Sequence, residues 1–448
     1  MIARIKITIL LICAISSNVL AQQKWSLDEC VSYALEHNLQ LKDFQYTTDA
    51  NRETYRQSIR DILPSVDAST NYVISFGRAE DPNTGTFVNQ DFFSNSYNLN
   101  GAIDLFQGFQ KINTIKASKF LYKATNEETT HQKYLLAFRV MQAFYDIQFF
   151  EGLVAISTEQ QAVSQTNYDL VEKQIELGLK AGADLYEAES LLLTDKLNVT
   201  QSKNQLAAAK LNLIQAMNLE NETDIEIQVE LQEAKPEMEL DTLESETIFS
   251  EARDFIPLIK AQELRTKAAK KQLAAERGNL YPSLQLFAGF RTGYFETTVD
   301  SLGLTIPFKD QFRDNASEFI GVGLSIPITN GWSRRSRVKQ QKIAYKRAQN
   351  NLDIQEQELQ QTIAQLVQEY NSLLVELEQS NQQVKAQSLS FEIAQKRYEK
   401  GLINALELFT AKNLFANAQN ENLQVRLRSE INKSTLDFYK GLPVFNIN

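Results

Sequence analysis

The sequence repeats itself once, at a nearly constant spacing. Gly178 and Gly401, each followed by leucine, lie 223 positions apart, and the same spacing separates Gly108 from Gly331. Held without a gap, this spacing also pairs Leu185 with Leu408, Tyr186 with Phe409, Ala188 with Ala411 and Leu191 with Leu414. Self-similarity at one fixed spacing is typical of a duplicated structural unit. The chain is therefore predicted to be a single domain built from two like halves.

The boundaries of these halves follow from charge and from the N-terminus. Residues 1–21 begin with Arg4 and Lys6, continue with an apolar run and end in Ala21, which predicts a signal peptide that is removed. Each half is predicted to contain a helix, two strands, a very long helix and a shorter helix, in that order. Repeat 1 is predicted over 22–219 and repeat 2 over 242–442, with an acidic equatorial linker over 220–241 and a C-terminal tail over 443–448.

Very long helices dominate both repeats. Between Gly108 and Gly178 there is no proline and only one glycine, and between Gly331 and Gly401 there is neither. Apolar residues three and four apart in these stretches are the pattern of an α-helix. A helix of about 70 residues is about 105 Å long, too long for a globular domain to bury. Shorter helices stacked end to end can line each long one, and we expect them over 27–63 with 183–219, and over 242–281 with 405–441.

Four segments, 66–76, 93–105, 284–294 and 320–326, alternate between apolar and polar residues. This alternation suits a transmembrane strand with one face to lipid and the other to water. A soluble sheet on a helical core would alternate in the same way. The connecting loops, 77–92 and 295–317, are long and polar, with aromatic residues beside them as in an interfacial girdle. The apolar sets are Val66, Ala68, Thr70, Tyr72, Ile74 and Phe76; Phe93, Tyr97, Leu99, Ile103 and Leu105; Leu284, Leu286, Ala288, Phe290 and Tyr294; and Ile320, Val322, Leu324 and Ile326.

Four strands cannot close a transmembrane barrel, for which about eight are the minimum in a single chain. An open sheet edge in lipid leaves backbone N–H and C=O groups unpaired, which is costly. Several copies of the chain must therefore complete the barrel. Three copies would supply twelve strands, but the sequence alone does not choose that number. No apolar stretch of about 18 residues follows the signal peptide, so we expect strands to make the membrane contact.

Charge and motif content argue against other classes of protein. The chain has 46 basic and 56 acidic residues, and because residues 1–21 hold two of the basic ones, the remainder carries a net charge of −12. An acidic surface disfavours a nucleic-acid partner. The two histidines, His37 and His131, lie on different predicted helices without metal-ligand spacing. No phosphate-binding glycine loop or GxSxG motif is present. The sequence predicts no enzyme, cofactor or metal.

Short motifs, in order and mostly in duplicate, resemble the TolC family of outer-membrane efflux and secretion channels from about Trp25 to Leu442. WSLDECVSYALEHN resembles the family's first helix, LPSVDAS and YPSLQLF its entries into the strands, and IDLFQGF and IPITNGW its returns to the long helices. ELGLKAGADLYEAESLL and EKGLINALELFTAKNLF resemble its tip turns. The resemblance implies a mixed α and β membrane protein, in which a homotrimer forms a twelve-stranded transmembrane β-barrel and a periplasmic barrel of long helices.

The same resemblance implies a location and partners. The protein would lie in the outer membrane of a Gram-negative bacterium, in contact with its lipid. It would act as the passive exit duct of a tripartite efflux or type I secretion system. Its partners would be a periplasmic adaptor protein and an inner-membrane pump. The alternative is a periplasmic coiled-coil adaptor or scaffold, whose alternating segments are soluble strands and which would appear in the soluble periplasmic fraction.

The tip turns hold the candidate site residues. In the family, acidic residues just after the second tip turn line the narrowest point, and the resemblance carries the first of these positions to Glu407. The second position is Thr410, a departure that leaves a double acidic ring unsupported. Asp184 and Glu187 are weaker candidates in repeat 1. Three copies of Glu407 around one axis would favour cations; alternatively, Glu407 only caps its helix. Candidates for adaptor docking in the turns are Gly178, Gly182, Gly401 and Asn404.

Overall fold

The computed structural model describes residues 24–80, 85–89, 91–220, 222–228 and 244–445. The signal peptide, most of the acidic linker and the end of the tail lie outside the described residues and stay predictions. In chain order the elements are β1 (Lys24–Trp25), α1 (Leu27–His37), α2 (Leu39–Arg60), β2 (Ser65–Ser75), β3 (Arg78–Glu80), β4 (Phe87–Asn89), β5 (Phe92–Gln107), α3 (Gln110–Glu176), α4 (Gly182–Met217), β6 (Glu226–Ile227), α5 (Ser245–Phe255), α6 (Pro257–Gly278), β7 (Ser283–Phe295), α7 (Phe308–Asp314), β8 (Ser317–Ser325), α8 (Ser333–Glu399) and α9 (Ala405–Tyr439).

These elements form two compact units. The helical unit comprises the described residues up to Tyr46 together with 127–260 and 354–445, and the sheet unit comprises 47–126 and 261–353. Helices α2, α3, α6 and α8 contribute residues to both units. None of the described helices combines the length and the apolar character that a membrane-crossing helix needs.

The two long helices, α3 and α8, are present as predicted, each with 67 residues. Both begin after the same unusual backbone turn. Gly108 and Phe109 have φ of 57° and 63°, and Gly331 and Trp332 have φ of 61° and 65°. A large aromatic residue rarely adopts the left-handed region. The repetition of this feature shows that both long helices start with the same backbone geometry.

The helix predicted over 27–63 is divided at Asn38, and the second part ends at Arg60. Asn38 is extended (φ −66°, ψ 122°), and its side-chain amide donates to the Ala216 carbonyl oxygen at 3.1 Å. Its Oδ1 accepts a hydrogen bond from the Leu41 N–H at 3.0 Å, which starts the next helix. The bend therefore depends on a contact with the end of α4.

The helix predicted over 242–281 is divided in the same way, between α5 and α6. Ile256 has nearly the same backbone angles as Asn38, with φ −60° and ψ 121°. Here the cause is local, because Pro257 is the first residue of α6 and its ring pushes the preceding residue out of the helical region. A proline is tolerated at this first helical position because its missing N–H would have no intrahelical partner.

Strands β2, β5, β7 and β8 form one antiparallel sheet in that order. Thr70 pairs with Tyr97, and Tyr97 pairs with Thr292. Ala288 pairs with Ile320. Because directly paired residues share a face, this register confirms that the members of the four predicted apolar sets inside the strands lie on one common face. Phe76 and Ile326 lie beyond the ends of β2 and β8 and stay predictions. Leu105 is the exception, since the register shifts there between Asp104 and Phe106.

The opposite face of the sheet is mainly polar but carries four phenylalanines, two of which pair with glycines. Phe287 pairs with Gly321, and Phe319 pairs with Gly289. A Cβ atom added to Gly289 would lie 2.5 Å from the Phe319 ring, and one added to Gly321 would lie 2.6 Å from the Phe287 ring. Each ring therefore lies over the backbone of its glycine partner, which is the arrangement that compensates for glycine in a strand.

The two loops beyond the strands carry structure of their own. The first contains the β3–β4 hairpin, and the second contains α7. Gln311 of α7 is buried, and its amide donates to the carbonyl oxygens of Phe295 at 3.0 Å and Ile306 at 2.8 Å. Its Oε1 accepts from the Phe295 N–H at 3.0 Å. The Phe312 ring lies 5.4 Å from the Tyr97 ring, so this loop folds back onto the apolar face of the sheet.

The core of the helical unit forms where α1, α3 and α4 meet. Cys30, Val140, Ile147, Leu213 and Met217 are among its fully buried members. Burial raises the pKa of the Cys30 thiol to about 12, because the apolar surroundings disfavour the thiolate. Strands β1 and β6 form a short parallel pair in the same unit.

Candidate functional site

The turn between α3 and α4 lies where the sequence predicts the first tip. Gly178 has φ +69°, and its N–H donates to the Ile175 carbonyl oxygen at 2.9 Å. The Leu179 N–H donates to the Gln174 carbonyl oxygen at 2.8 Å. This pair of bonds is the Schellman motif, which ends a helix with a left-handed residue. In the described part of the chain, a Cβ added to Gly178 would meet no atom within 4 Å apart from those of adjacent residues, so its backbone angle, not crowding, calls for glycine.

The turn between α8 and α9 uses the same hydrogen bonds. Gly401 has φ +71°, and its N–H donates to the Tyr398 carbonyl oxygen at 2.9 Å. The Leu402 N–H donates to the Arg397 carbonyl oxygen at 2.9 Å. The two long helices therefore end, as they begin, with matching geometry.

The helices that follow the two turns begin differently. Asn404 caps α9, since its Oδ1 accepts from the Glu407 N–H at 2.8 Å. Ala181, the corresponding residue before α4, has no side-chain acceptor. Instead, the Asp184 carboxylate accepts from the Ala181 N–H at 3.2 Å. A complete capping box has both bonds, so each tip helix has one half of it. Gly182 is the first residue of α4 and has open space around it.

The predicted constriction residues differ in their exposure and in the hydrogen bonds that their side chains make. Within the described part of the chain, the Glu407 carboxylate makes no hydrogen bond or ion pair, and it is exposed. The Asn404 side chain caps this helix. In the described structure the Glu407 carboxylate makes no capping hydrogen bond of its own. Glu187 is exposed and Asp184 is half-buried. Thr410 donates its hydroxyl to the Leu406 carbonyl oxygen at 2.8 Å. Among the described residues, no hydrogen bond or ion pair joins Glu407 to Asp184 or Glu187.

A side-chain contact joins the two tips. The Lys180 Nζ lies 3.4 Å from the Tyr398 hydroxyl and 5.0 Å from the centroid of its ring. The hydrogen bond is long for a charged donor, which normally approaches to about 2.9 Å. This contact is therefore weak.

A buried charged cluster lies further along the same helices. Lys412 of α9, Asp195 of α4 and Ser164 of α3 are 1%, 3% and 5% exposed. The Lys412 ammonium donates to the Asp195 carboxylate and to the Ser164 hydroxyl, the latter at 2.7 Å. Ser164 donates its own proton to the Asp195 carboxylate at 2.6 Å. We call these three residues the Lys412 cluster.

The Lys412 ammonium has two hydrogen-bond acceptors and one aromatic ring beside it. Besides Asp195 and Ser164, the Phe409 ring lies with its centroid 5.0 Å from the Nζ, within the range of a cation–π contact. Burial lowers the pKa of Lys412, while the hydrogen bond and the charge of Asp195 act in the opposite direction. The ion pair is therefore enclosed by three helices and has no exposed side.

Sequence reasoning missed this cluster, although a signal for it is present. Asp195 lies at helical spacing within a buried stripe of α4 that also contains Ala188, Leu192 and Val199. Lys412 lies four residues after the buried Leu408. A charged residue at a position where the helical period demands an apolar one calls for a partner, because an unpaired buried charge is costly.

Comparisons with known proteins fit this architecture. The family model of the outer membrane efflux protein matches residues 30–219 and 248–442. The cation efflux system protein CusC of Escherichia coli is 26% identical over 426 residues, which cover 91% of this chain and 84% of that protein. The probable efflux pump outer membrane protein TtgC of Pseudomonas putida is 21% identical over 444 residues, covering 94% of this chain and 85% of that protein.

Solved structures show the same fold. A crystal structure of CusC matches with a TM-score of 0.77 at 19% identity, and the match covers 95% of this chain and 96% of that one. The outer membrane protein VceC of Vibrio cholerae matches with a TM-score of 0.74 at 16% identity, covering 93% and 96%. The two segments matched by the family model make up most of the chain, and they include both tip turns and all four strands of the sheet. The chain belongs to the outer membrane efflux protein family, and it is an outer-membrane channel rather than a periplasmic scaffold.

Proposed function

We propose that three copies of this chain form one outer-membrane duct, which receives its substrates from a periplasmic adaptor and an inner-membrane pump. The observation that carries this proposal is the four-stranded sheet with one exposed apolar face. Ile320 is 76% exposed and Val66 is 69% exposed. Such a face suits lipid, and a sheet in lipid must have no free edge.

Both edges of this sheet lack a strand partner within the described residues. Strand β2 pairs only with β5, and strand β8 pairs only with β7. Pairing β8 of one copy with β2 of the next satisfies both edges and repeats until the ring closes. Three copies give twelve strands, an even number within the range of known outer-membrane barrels.

Assembly in detergent tests this proposal. Purified protein should have the mass of three chains, measured by light scattering with the detergent contribution subtracted. A stable monomer with an intact β-sheet by circular dichroism would contradict the closed barrel, because each copy would then carry two open edges.

The adaptor and the pump are supported by the relatives, which are named as components of an efflux system and an efflux pump. The tip turns offer a surface for such a partner. Leu179 is 71% exposed and Leu402 is 65% exposed, and each lies beside its turn glycine. We expect Leu179→Asp with Leu402→Asp to abolish co-purification with the adaptor while the protein stays trimeric. Unchanged co-purification would exclude the turns as the docking site.

We further propose that Glu407 lines the narrowest part of the duct. Its carboxylate is exposed and unengaged, whereas the Asp184 carboxylate is held by the Ala181 N–H. Three Glu407 carboxylates around one axis would attract cations and repel anions. Glu407→Gln should lower the ratio of cation to anion permeability in a planar bilayer several-fold. Asp184→Asn is the matched control and should change the ratio less; equal effects of the two substitutions would remove Glu407 from the constriction.

A further inference from the structure

The Lys412 cluster joins α9, which follows the second tip turn, to α3 and α4, which flank the first. Ser164 lies twelve residues before the end of α3, Asp195 lies on α4 after the first turn, and Lys412 lies on α9 after the second. The Ser164–Asp195 bond joins α3 to α4. The two bonds of Lys412 join α9 to that pair.

We propose that Lys412 is a positioning residue for the gate: its buried bonds to Asp195 and Ser164 fix the register of α9 against α3 and α4, and thereby the place of Glu407. This inference rests on the proposed function, in which Glu407 lines the constriction. Lys412 follows Glu407 by five residues, which is about 7.5 Å along a helix. A displacement of α9 at Lys412 would therefore displace Glu407 by a similar distance.

Stability alone is a poor explanation for this cluster. Replacing a buried ion pair by apolar residues of similar volume is often neutral or stabilising, whereas removing one partner is strongly destabilising. The neighbours Leu192, Val199 and Leu408 are apolar and would accept such a replacement. The ion pair raises the free energy of every other register of α9, because in those registers the two charges would stay buried without partners.

The sequence of α9 shows how the penalty works. A slip of α9 by one turn would move Leu408 or Ala416 to the place of Lys412. The Asp195 carboxylate, which is 3% exposed, would then lose its cation. With an apolar pair instead, the same slip would exchange one apolar contact for another at little cost.

The contact at the tips cannot supply this register by itself. The Lys180–Tyr398 hydrogen bond measures 3.4 Å, and the rest of the turn surface is exposed. The Lys412 cluster is buried, and its hydrogen bonds at Ser164, of 2.6 and 2.7 Å, are shorter. The contacts of Lys412 therefore position the first two turns of α9.

The test separates position from stability. Spin labels at Tyr186→Cys on α4 and Leu406→Cys on α9, both exposed positions, report the distance between the two helices in trimers diluted with unlabelled chains. In the unmodified cluster one narrow distance distribution is expected. Lys412→Met with Asp195→Leu should keep the Tm, broaden the distribution, and raise the adaptor-independent conductance about tenfold, which corresponds to about 1.4 kcal/mol.

Controls make each outcome decisive. Lys396→Met breaks the exposed Lys396–Glu392 pair on α8 and should leave the distribution unchanged. Lys412→Gln with Asp195→Asn keeps the side-chain volumes close to the original and leaves no buried charge unpaired. It should also broaden the distribution, which covers the case in which the Met–Leu double variant does not fold. A narrow distribution in either folded cluster variant overturns the proposal. The distance measurement does not require conduction, so a protein that fails to conduct refutes the duct and leaves this test readable.

Discussion

Lys412 in the helical unit and Ile320 in the sheet unit have exposures opposite to those expected from their chemistry. The lysine is 1% exposed, whereas the isoleucine is 76% exposed. Lysine is almost never fully buried unless it is paired, and here its partners Asp195 and Ser164 come from the same chain. The isoleucine is one of many apolar residues on a single sheet face, and its neighbours in the described residues do not cover it.

The difference teaches where each region finds its stabilising contacts. The helical unit satisfies even its buried charges internally, so its core should be formed in each copy of the chain. Within the described residues the sheet unit leaves an apolar face and two strand edges without cover, so in the proposed assembly its stability would depend on lipid and on other copies. Substitutions can test each side of this contrast.

The largest effect is expected on the apolar face of the sheet. Ala68 and Ser69 are adjacent, exposed residues of β2 that point to opposite faces. Ala68→Lys should lower the free energy of unfolding in lipid by about 2 to 4 kcal/mol, because the charge enters hydrocarbon. Ser69→Lys should change it by about 0.5 kcal/mol or less. Equal losses in denaturant titrations of the two variants in vesicles would show that the apolar face does not meet lipid.

A smaller effect is expected at the two tip helices. Asn404→Ala removes the cap of α9 and should lower the free energy of unfolding by about 1 kcal/mol. Ala181→Asn adds the missing acceptor before α4 and should raise it by a similar amount. The control is Ala183→Asn, which lies inside α4 and cannot cap it. If Ala181→Asn behaves like Ala183→Asn in thermal unfolding, the start of α4 is not a cap position.

The smallest effect is expected at Cys30, whose thiol we predict not to react with a thiol reagent. Burial raises the pKa of its thiol to about 12, and a thiol reacts as its thiolate. At pH 8 a small thiol reagent should not label Cys30 in the purified, folded protein. A membrane-impermeant thiol reagent applied to intact cells tests the loops instead. Thr86→Cys and Asp314→Cys, in the two loops beyond the strands, should be labelled if those loops are extracellular. Labelling of Cys30 in folded protein would show that the helical core opens readily.

Much of the fold could be predicted because its signals are local. The lack of proline and the scarcity of glycine predicted α3 and α8, and the period of two predicted the apolar face that the register confirms. The helix α7 was not predicted, because its polar sequence is typical of a loop. The structure shows that hydrogen bonds from Gln311 to backbone groups fix this segment. The tip turns were predicted at the right residues, because a left-handed helix end requires glycine there.

The Lys412 cluster could not be predicted from spacing alone. Its bonds join Lys412 to Asp195 and to Ser164 across 217 and 248 positions of the sequence. No local pattern specifies which of many acidic residues will meet a given lysine. The structure was also needed to show that, among the described residues, the Glu407 carboxylate adds no capping bond to the one that the Asn404 side chain makes.

The bends at Asn38 and Ile256 also differ in when they can form. Pro257 restricts Ile256 to an extended backbone through its own ring, so that bend is favoured even in the unfolded chain. Asn38 holds its bend through the Ala216 carbonyl oxygen, 178 positions later in the sequence. The first bend therefore lacks this bond until α4 has formed and packed against it, whereas the second needs only its own residues. The two halves thus form the same bend from different causes, one a contact between distant parts of the chain and the other a neighbouring proline.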